Sequence, residues 1–294
     1  MKKIADYLIV TLKGIGMGAA DVIPGVSGGT IAFLTGIYTE LIESIKQIDL
    51  KAFKLLLTGK IGQFWKKING NFLISLIIGI AISFFSLAKL MIYLMDNHPI
   101  PLWSFFFGLI ISSAIFILRD VKHWKFSYFI FMTIGIAIGA VICLISPSDT
   151  PSGYWFIFLC GAIAICAMIL PGISGSFILL LMGKYHYMMD ALSNMEIVTL
   201  IIFALGAAIG IIGFSHVLSW LLKKFYSMAI CLLSGFMIGS LIKIWPWQQL
   251  LADETSRPKL PDEQIPIAIL FIIIGVTLVF VIELLAKKMK SSQK

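Results

Sequence analysis

The chain has 294 residues, of which 59% are hydrophobic and only 13% charged, with a mean hydropathy of +0.99 and a formal net charge of +8. Soluble chains are about half apolar and a quarter charged, so this balance excludes a water-soluble globular domain and defines an integral membrane protein. Nor does the positive charge point to nucleic acid, because the lysines and arginines sit in short loops between apolar runs, as membrane topology requires.

The amino end, "MKKIADYLIVTL", has the basic start of a signal peptide, but Asp6 and Lys13 interrupt it and it reads as mature sequence. A first motif segment over residues 4–46 contains "DVIPGVSGGT", residues 21–30. There Pro24 removes a helix donor and Gly25 permits a sharp change of direction, so a helix break is predicted. A long basic loop follows at 46–71, then apolar spans at 72–95, 102–118 and 126–146. A second motif segment, 153–192, carries "MILPGISGSF" at 168–177, with Pro171 and Gly172 at its break. Spans at 197–222, 227–244 and 265–286 come after it, with an outer loop at 245–264. Each span approaches the roughly 20 apolar residues that about 30 Å of hydrocarbon demands of a helix. Cys143, Cys160, Cys166 and Cys231 lie in apolar runs without metal-ligand spacing and read as reduced core residues. Small-residue spacings at Gly135–Gly139 and Gly206–Gly210 read as packing faces.

A shift of 147 lays the second motif on the first. It aligns Gly14 with Gly161, Pro24 with Pro171, Gly25 with Gly172, Ser27 with Ser174, Gly28 with Gly175, Gly36 with Gly183 and Tyr38 with Tyr185. Beyond the long loop the shift becomes 127, which sets Lys89 over His216 and Gly108 over Gly235. The chain therefore reads as a single membrane domain, 1–294, made of two repeats, 1–146 and 147–294. If each motif enters the bilayer and turns back, eighteen of the twenty-three Lys and Arg fall on the cytoplasmic side together with both termini. If the first motif crossed instead, the six lysines between 46 and 67 would face the wrong way and the bias would collapse. Trp65, Trp124 and Trp220 then mark the inner interface, and Trp103, Trp155, Trp245 and Trp247 the outer one. Three crossings per half is an odd number, so the halves must be inverted. The expected fold is an all-α integral membrane protein of two inverted repeats, each a re-entrant helical hairpin plus three transmembrane helices.

A helix that restarts deep in the bilayer presents open N–H groups and the positive end of its dipole, which favour an anion. Ser27, Gly28, Gly29 and Thr30 offer this in the first half, and Ser174, Gly175 and Ser176 in the second. Lys89 and His216, within spans, are candidate electrostatic partners of the anion, and Arg119 a further candidate for its capture. A charge at mid-span costs roughly 2.5–3.5 kcal/mol on insertion scales, so each asks for a reason. Asp21, which has Met168 as its counterpart, and Glu40 are candidate coupling residues for a proton or Na⁺. No metal site and no cofactor is expected.

The stretches "GMGAADVIPGVSGGTIAFLTGIY" and "GAIAICAMILPGISGSFILLLMGKY" closely resemble the paired motifs of the bacterial polyprenyl-phosphate transporter family, the PopT proteins. The similarity extends over essentially the whole chain. It implies a flippase in the bacterial cytoplasmic membrane that returns undecaprenyl phosphate, the carrier lipid of cell-wall precursors, from the outer to the inner leaflet. The head group would then sit on Asp21 to Thr30 and Pro171 to Ser176. The residues alone leave open a secondary transporter or channel for a small inorganic anion. A lipid phosphatase is disfavoured, because histidines at 98, 123, 186 and 216 and the scattered carboxylates form no nucleophile–base pair by spacing.

Overall fold

A computed structural model of the protein describes residues 4–21, 27–145, 150–151, 153–172, 174–250 and 256–291. The first motif segment forms three helices, α1 (Ile4–Asp21), α2 (Gly28–Leu34) and α3 (Tyr38–Lys46). The second forms α9 (Tyr154–Ile169), α10 (Gly175–Leu181) and α11 (Tyr185–Ser193). The two sets share one plan. A long helix stops at the Pro-Gly break, a seven-residue helix follows under a serine N-cap, and a nine-residue helix comes after a left-handed glycine. Those glycines are Gly36 (φ 73°) and Gly183 (φ 61°), positions the 147 shift equates, and a side chain at either would be strained. Seven residues make about 10 Å of helix, a third of a bilayer core. In both sets the chain doubles back after the break: Ile31 lies against Gly16, and the start of α10 lies against Ala164 of α9.

Six long helices complete the apolar framework: α6 (Gly70–Asn97), α7 (Pro99–Leu118), α8 (Phe126–Leu144), α12 (Ile197–Lys224), α13 (Tyr226–Ile244) and α14 (Ile265–Ser291). Each coincides with an apolar span read from the sequence. Among the described residues α7, α8, α12 and α13 are long and apolar enough to cross a membrane outright, and the protein is a multi-pass, α-helical membrane protein. Outward-facing Ile138, Ile209, Val217 and Ile273 leave apolar surface for lipid. Hydrophobic burial cannot hold such helices together in a bilayer, where tails are as apolar as leucine, so close backbone approach must. Hence α1 and α6 meet at Gly14 and Gly79, and α9 meets α12 at Gly161, Gly206 and Gly210, each against backbone of the other helix.

The chain forms two compact units, each discontinuous: residues 1–89 with 146–226, and residues 90–145 with 227–294. Each therefore joins a segment from the first half of the chain to one from the second. In the second unit α7 packs on α14 through Gly108 and Gly275, and α8 on α13 through Gly135, Gly139, Gly235 and Gly239. The small-residue spacings at 135–139 and 206–210 thus lie at helix–helix contacts.

Two connections carry more structure than loops. Residues 46–71 hold α4 (Leu50–Leu57) and α5 (Ile61–Lys67), joined to α6 through Asn69 at φ 55°. Residues 245–264 hold an antiparallel pair, β1 (Gln248–Leu250) and β2 (Ser256–Pro258), anchored by Trp245 Nε1 on the Lys259 carbonyl (2.9 Å) and Trp247 Nε1 on the Glu263 carbonyl (2.8 Å).

Candidate functional site

Both motif breaks lie in the first unit, and they are joined there by hydrogen bonds. Helix α9 ends at Ile169 with an extended Leu170 as its C-cap, which leaves carbonyls without helical partners. The Ser27 hydroxyl supplies one, donating to the Met168 carbonyl (2.8 Å) and lying 3.1 Å from that of Leu170. The same oxygen accepts the Gly29 N–H at 3.0 Å, so Ser27 caps α2 and ties it to α9 at once. In return the Gly172 N–H donates to Thr30 Oγ1 at 2.9 Å. Ser27 and Thr30 are fully buried, and the Ile169 carbonyl stands where a side chain at Gly29 would project. The start of α2 meets the end of α9, positive dipole end against negative, in surroundings that screen little.

The two helix starts then differ. At α2 the Gly28 N–H donates to Asp21 Oδ1 at 2.7 Å, and the Asp21 carboxyl fills the space a Cβ at Gly28 would need. With Gly29 on Ser27 Oγ and Thr30 on the Ser27 carbonyl, the amides that the sequence leaves open are held by the protein's own groups. At α10 the Phe177 N–H goes to Ser174 Oγ (3.2 Å), and Ser174 Oγ lies 3.2 Å from Ser176 Oγ. Met168 stands opposite Gly175 where Asp21 stands opposite Gly28. The Gly175 and Ser176 N–H groups meet no acceptor among the described residues. Ser174 is buried, and Ser176 is half-buried.

Lysines hold the far ends of the short helices, a feature the sequence reading did not single out. Lys13 Nζ donates to the Thr35 carbonyl at the α2 C-cap (2.7 Å). At α10 the Met182 carbonyl accepts from Thr150 Oγ1 (2.5 Å), and buried Lys184 donates to the Thr150 carbonyl (2.9 Å) between the Phe156 and Tyr187 rings. A cation at a helix C-terminus answers the negative end of the dipole. The signal was a lysine inside each motif segment, at positions that the repeat does not equate.

The remaining candidates are dispersed. Pro24 and Gly25 lie outside the described residues, whereas Pro171 is buried and Gly172 takes φ 100°. Lys89 falls within α6, its side chain outside what is described. His216 is exposed on α12, with Nδ1 2.8 Å from the carbonyl of Ile212 on its own helix. Glu40 accepts from Asn69 Nδ2 at 2.9 Å and so braces the corner between α5 and α6. Arg119 caps α7 in the second unit, about 6 Å from the Phe116 and Phe280 rings, beside a cavity of about 250 Å³ that Ile111, Ile115 and Val279 also line. Among the described residues no group of three or more His, Cys, Asp or Glu gathers as metal ligands do.

These features define a multi-pass α-helical membrane protein organised around two matched helix breaks that bind each other. Residues 17–259 match the VCA0040-like family, described as undecaprenyl phosphate translocase-like, and the chain belongs to that family. It is 46% identical over 265 residues to the polyprenyl-phosphate transporter of Vibrio cholerae serotype O1, covering 90% of this chain and 85% of that protein. To the polyprenyl-phosphate transporter of Staphylococcus aureus it is 37% identical over 256 residues, 80% of this chain and 85% of that one. No solved structure matches it.

Proposed function

We propose that this protein is a polyprenyl-phosphate transporter that moves undecaprenyl phosphate between the leaflets of the bacterial cytoplasmic membrane, by alternating exposure of one polar site and without a chemical step. The observation that carries the reading is the junction of the two breaks. Buried polar backbone deep in an apolar protein is tolerated where protein or a watery cavity satisfies it. Here Ser27, Thr30 and Gly172 join the breaks, while the amides of Gly175 and Ser176 meet no acceptor among the described residues and the Ser176 hydroxyl pairs only with that of Ser174 there. The phosphate takes that start of α10, and the prenyl tail stays in lipid. Ser27, Gly28, Gly29 and Thr30 shape the opposite wall; Lys89, His216 and Arg119 attract the head group as it arrives or leaves.

The two halves are inverted repeats, and the motif segments re-enter rather than cross. The seven-residue length of α2 and α10, the doubling back of the chain after each break and the Lys and Arg distribution support this, with both termini cytoplasmic. Asp21, the carboxylate that one break has and the other lacks, is the coupling residue, with Glu40 nearer the surface.

Liposomes carrying undecaprenyl phosphate test the reading, with an impermeant phosphatase outside. Purified protein is expected to make inner-leaflet substrate available to the phosphatase, and Ser174→Ala with Ser176→Ala to slow this severely. An unaltered rate in that double variant would exclude the head-group site. Flux of inorganic anions without lipid movement would replace a lipid transporter with an ion pathway, and phosphate release by the protein alone would make it an enzyme.

A further inference from the structure

Helices α4 and α5 present an apolar surface that none of the described residues covers. Leu50 is 88% exposed, Leu57 85% and Ile61 63%, with Phe53, Leu56 and Trp65 also exposed. At about 100° per residue, Leu50, Phe53, Leu56 and Leu57 fall on one side of α4, with Lys51 and Lys54 along its flank. Ala52, beside the Leu56 edge of that face, is fully buried against the protein. On α5, Ile61, Phe64 and Trp65 share a face, and Lys60 and Lys66 stand at either end of the helix. Lys67 is spent on Asp49 at 2.6 Å, whereas Lys51, Lys54, Lys60 and Lys66 are exposed and meet no partner among the described residues.

Orientation gives the surface its meaning. The axis of α5 departs by 71° from that of Gly70–Ser83 in α6. If α6 runs across the bilayer, α5 runs nearly along its plane. The corner is fixed by the ring of Trp65 beside Gly70, Trp65 Nε1 donating to Asn71 Oδ1 (2.7 Å) and Asn69 Nδ2 donating to Glu40 (2.9 Å). An apolar face with lysines at its border, held parallel to the membrane beside a spanning helix, is how interfacial helices sit.

We infer that α4–α5 is a foot lying in the head-group layer of one leaflet. Its leucines, Phe53 and Trp65 enter the acyl boundary, and Lys51, Lys54, Lys60 and Lys66 bind the head groups of anionic phospholipids. Charge complementarity selects this occupant over a zwitterionic surface, since four cations border the face and no free carboxylate stands among them. The foot is independent of the head-group site at α10, but it is not mechanically separate from the motif. Through Lys67, which donates to the carbonyl of the α3 C-cap Gln47 (3.1 Å), and through Asn69–Glu40 it is tied to α3, the last helix of the first break.

The test is amide hydrogen exchange of the whole protein in nanodiscs, of phosphatidylcholine alone or containing phosphatidylglycerol. Peptides spanning 50–67 should be markedly better protected with phosphatidylglycerol. K51Q/K54Q/K60Q/K66Q should abolish the difference, by roughly fivefold in lipid affinity for each lysine removed. Replacing all four by arginine should retain it. Leu50→Ser with Leu57→Ser should reduce protection in both lipids, while exchange in α7 and α13 stays unchanged as a check on folding. Equal protection in the two lipids would overturn the inference. Protection that rises with the number of protein copies per disc would overturn it too, assigning the surface to a second copy of the chain.

Discussion

Thr30→Val tests the junction between the breaks with the least disturbance of shape. Thr30 is fully buried, and its hydroxyl accepts the Gly172 N–H at 2.9 Å. Valine keeps the branched outline, so the main loss is one acceptor facing a buried donor that water does not reach. An orphaned buried N–H costs about 1–3 kcal/mol. A second loss follows if the breaks part, because Ser27 then gives up the Met168 carbonyl and its own burial. Thr30→Ser keeps the hydroxyl, removes a methyl and should cost about 1 kcal/mol. Thermal unfolding of the purified variants should thus rank wild type, then Ser, then Val, and transport of lipid phosphate should follow the same order. A valine variant as stable and active as wild type, or a serine variant worse than valine, would refute the view that this hydrogen bond holds the two breaks together.

Asp21→Asn keeps an oxygen for the Gly28 N–H and removes the charge, so the protein should fold while transport loses its dependence on the coupling ion; an unchanged ion dependence in liposomes would remove Asp21 from that role. Gly206→Leu should separate α9 from α12, since a side chain there strikes the Phe158 carbonyl, at about 1–3 kcal/mol or more, read as lost thermal stability. At Asp49, the hydrogen bond from Lys67 and the Ala52 N–H hold the carboxyl below the usual aspartate range near 3.9. A depressed carboxyl stabilises the folded form above its unfolded value and loses that effect as pH falls through the folded one. Protection of the first α4 amides should therefore be steady at neutral pH and fall only in acid below about 4. Asp49→Asn should be less protected at neutral pH and should not change there with acid.

Much of the framework was legible because the bilayer imposes a length. The apolar runs at 102–118 and 227–244 became α7 and α13 almost residue for residue. The likeness of the two motif segments was legible because a helix break needs the same few residue types each time, and Gly36 and Gly183, which the 147 shift equates, take the same left-handed backbone. The partners of the motif serines were not. Open amides at α2 followed from local sequence, but Asp21 turning back onto Gly28 and Ser27 reaching the Met168 carbonyl 141 residues away are tertiary facts with no local signature. Short amphipathic helices at 50–67 were hidden for another reason: lysines that gave the segment its topological meaning also made it read as loop.

The difference between the two helix starts bears most directly on mechanism. The two breaks share a backbone plan, yet one carries Asp21 and the other Met168. An isolated helix start favours a negative group by about 0.3–1 kcal/mol, and by up to ~2 when partly buried, whichever anion supplies it. At α2 the protein's own carboxyl occupies the position facing Gly28, so a phosphate there would compete with a covalently tethered rival. At α10 an apolar methionine faces Gly175, and no such rival stands there among the described residues. A phosphate bound at α10 therefore lies in the same unit as an acidic side chain, in surroundings that screen charge poorly. Two negative groups in such surroundings are tolerated better when one is neutralised, and on the proposed reading a cation or proton arriving at Asp21 would do so. On the proposed reading, substrate and coupling ion would thus favour each other's binding through charge alone, and by linkage each would do so to the same extent.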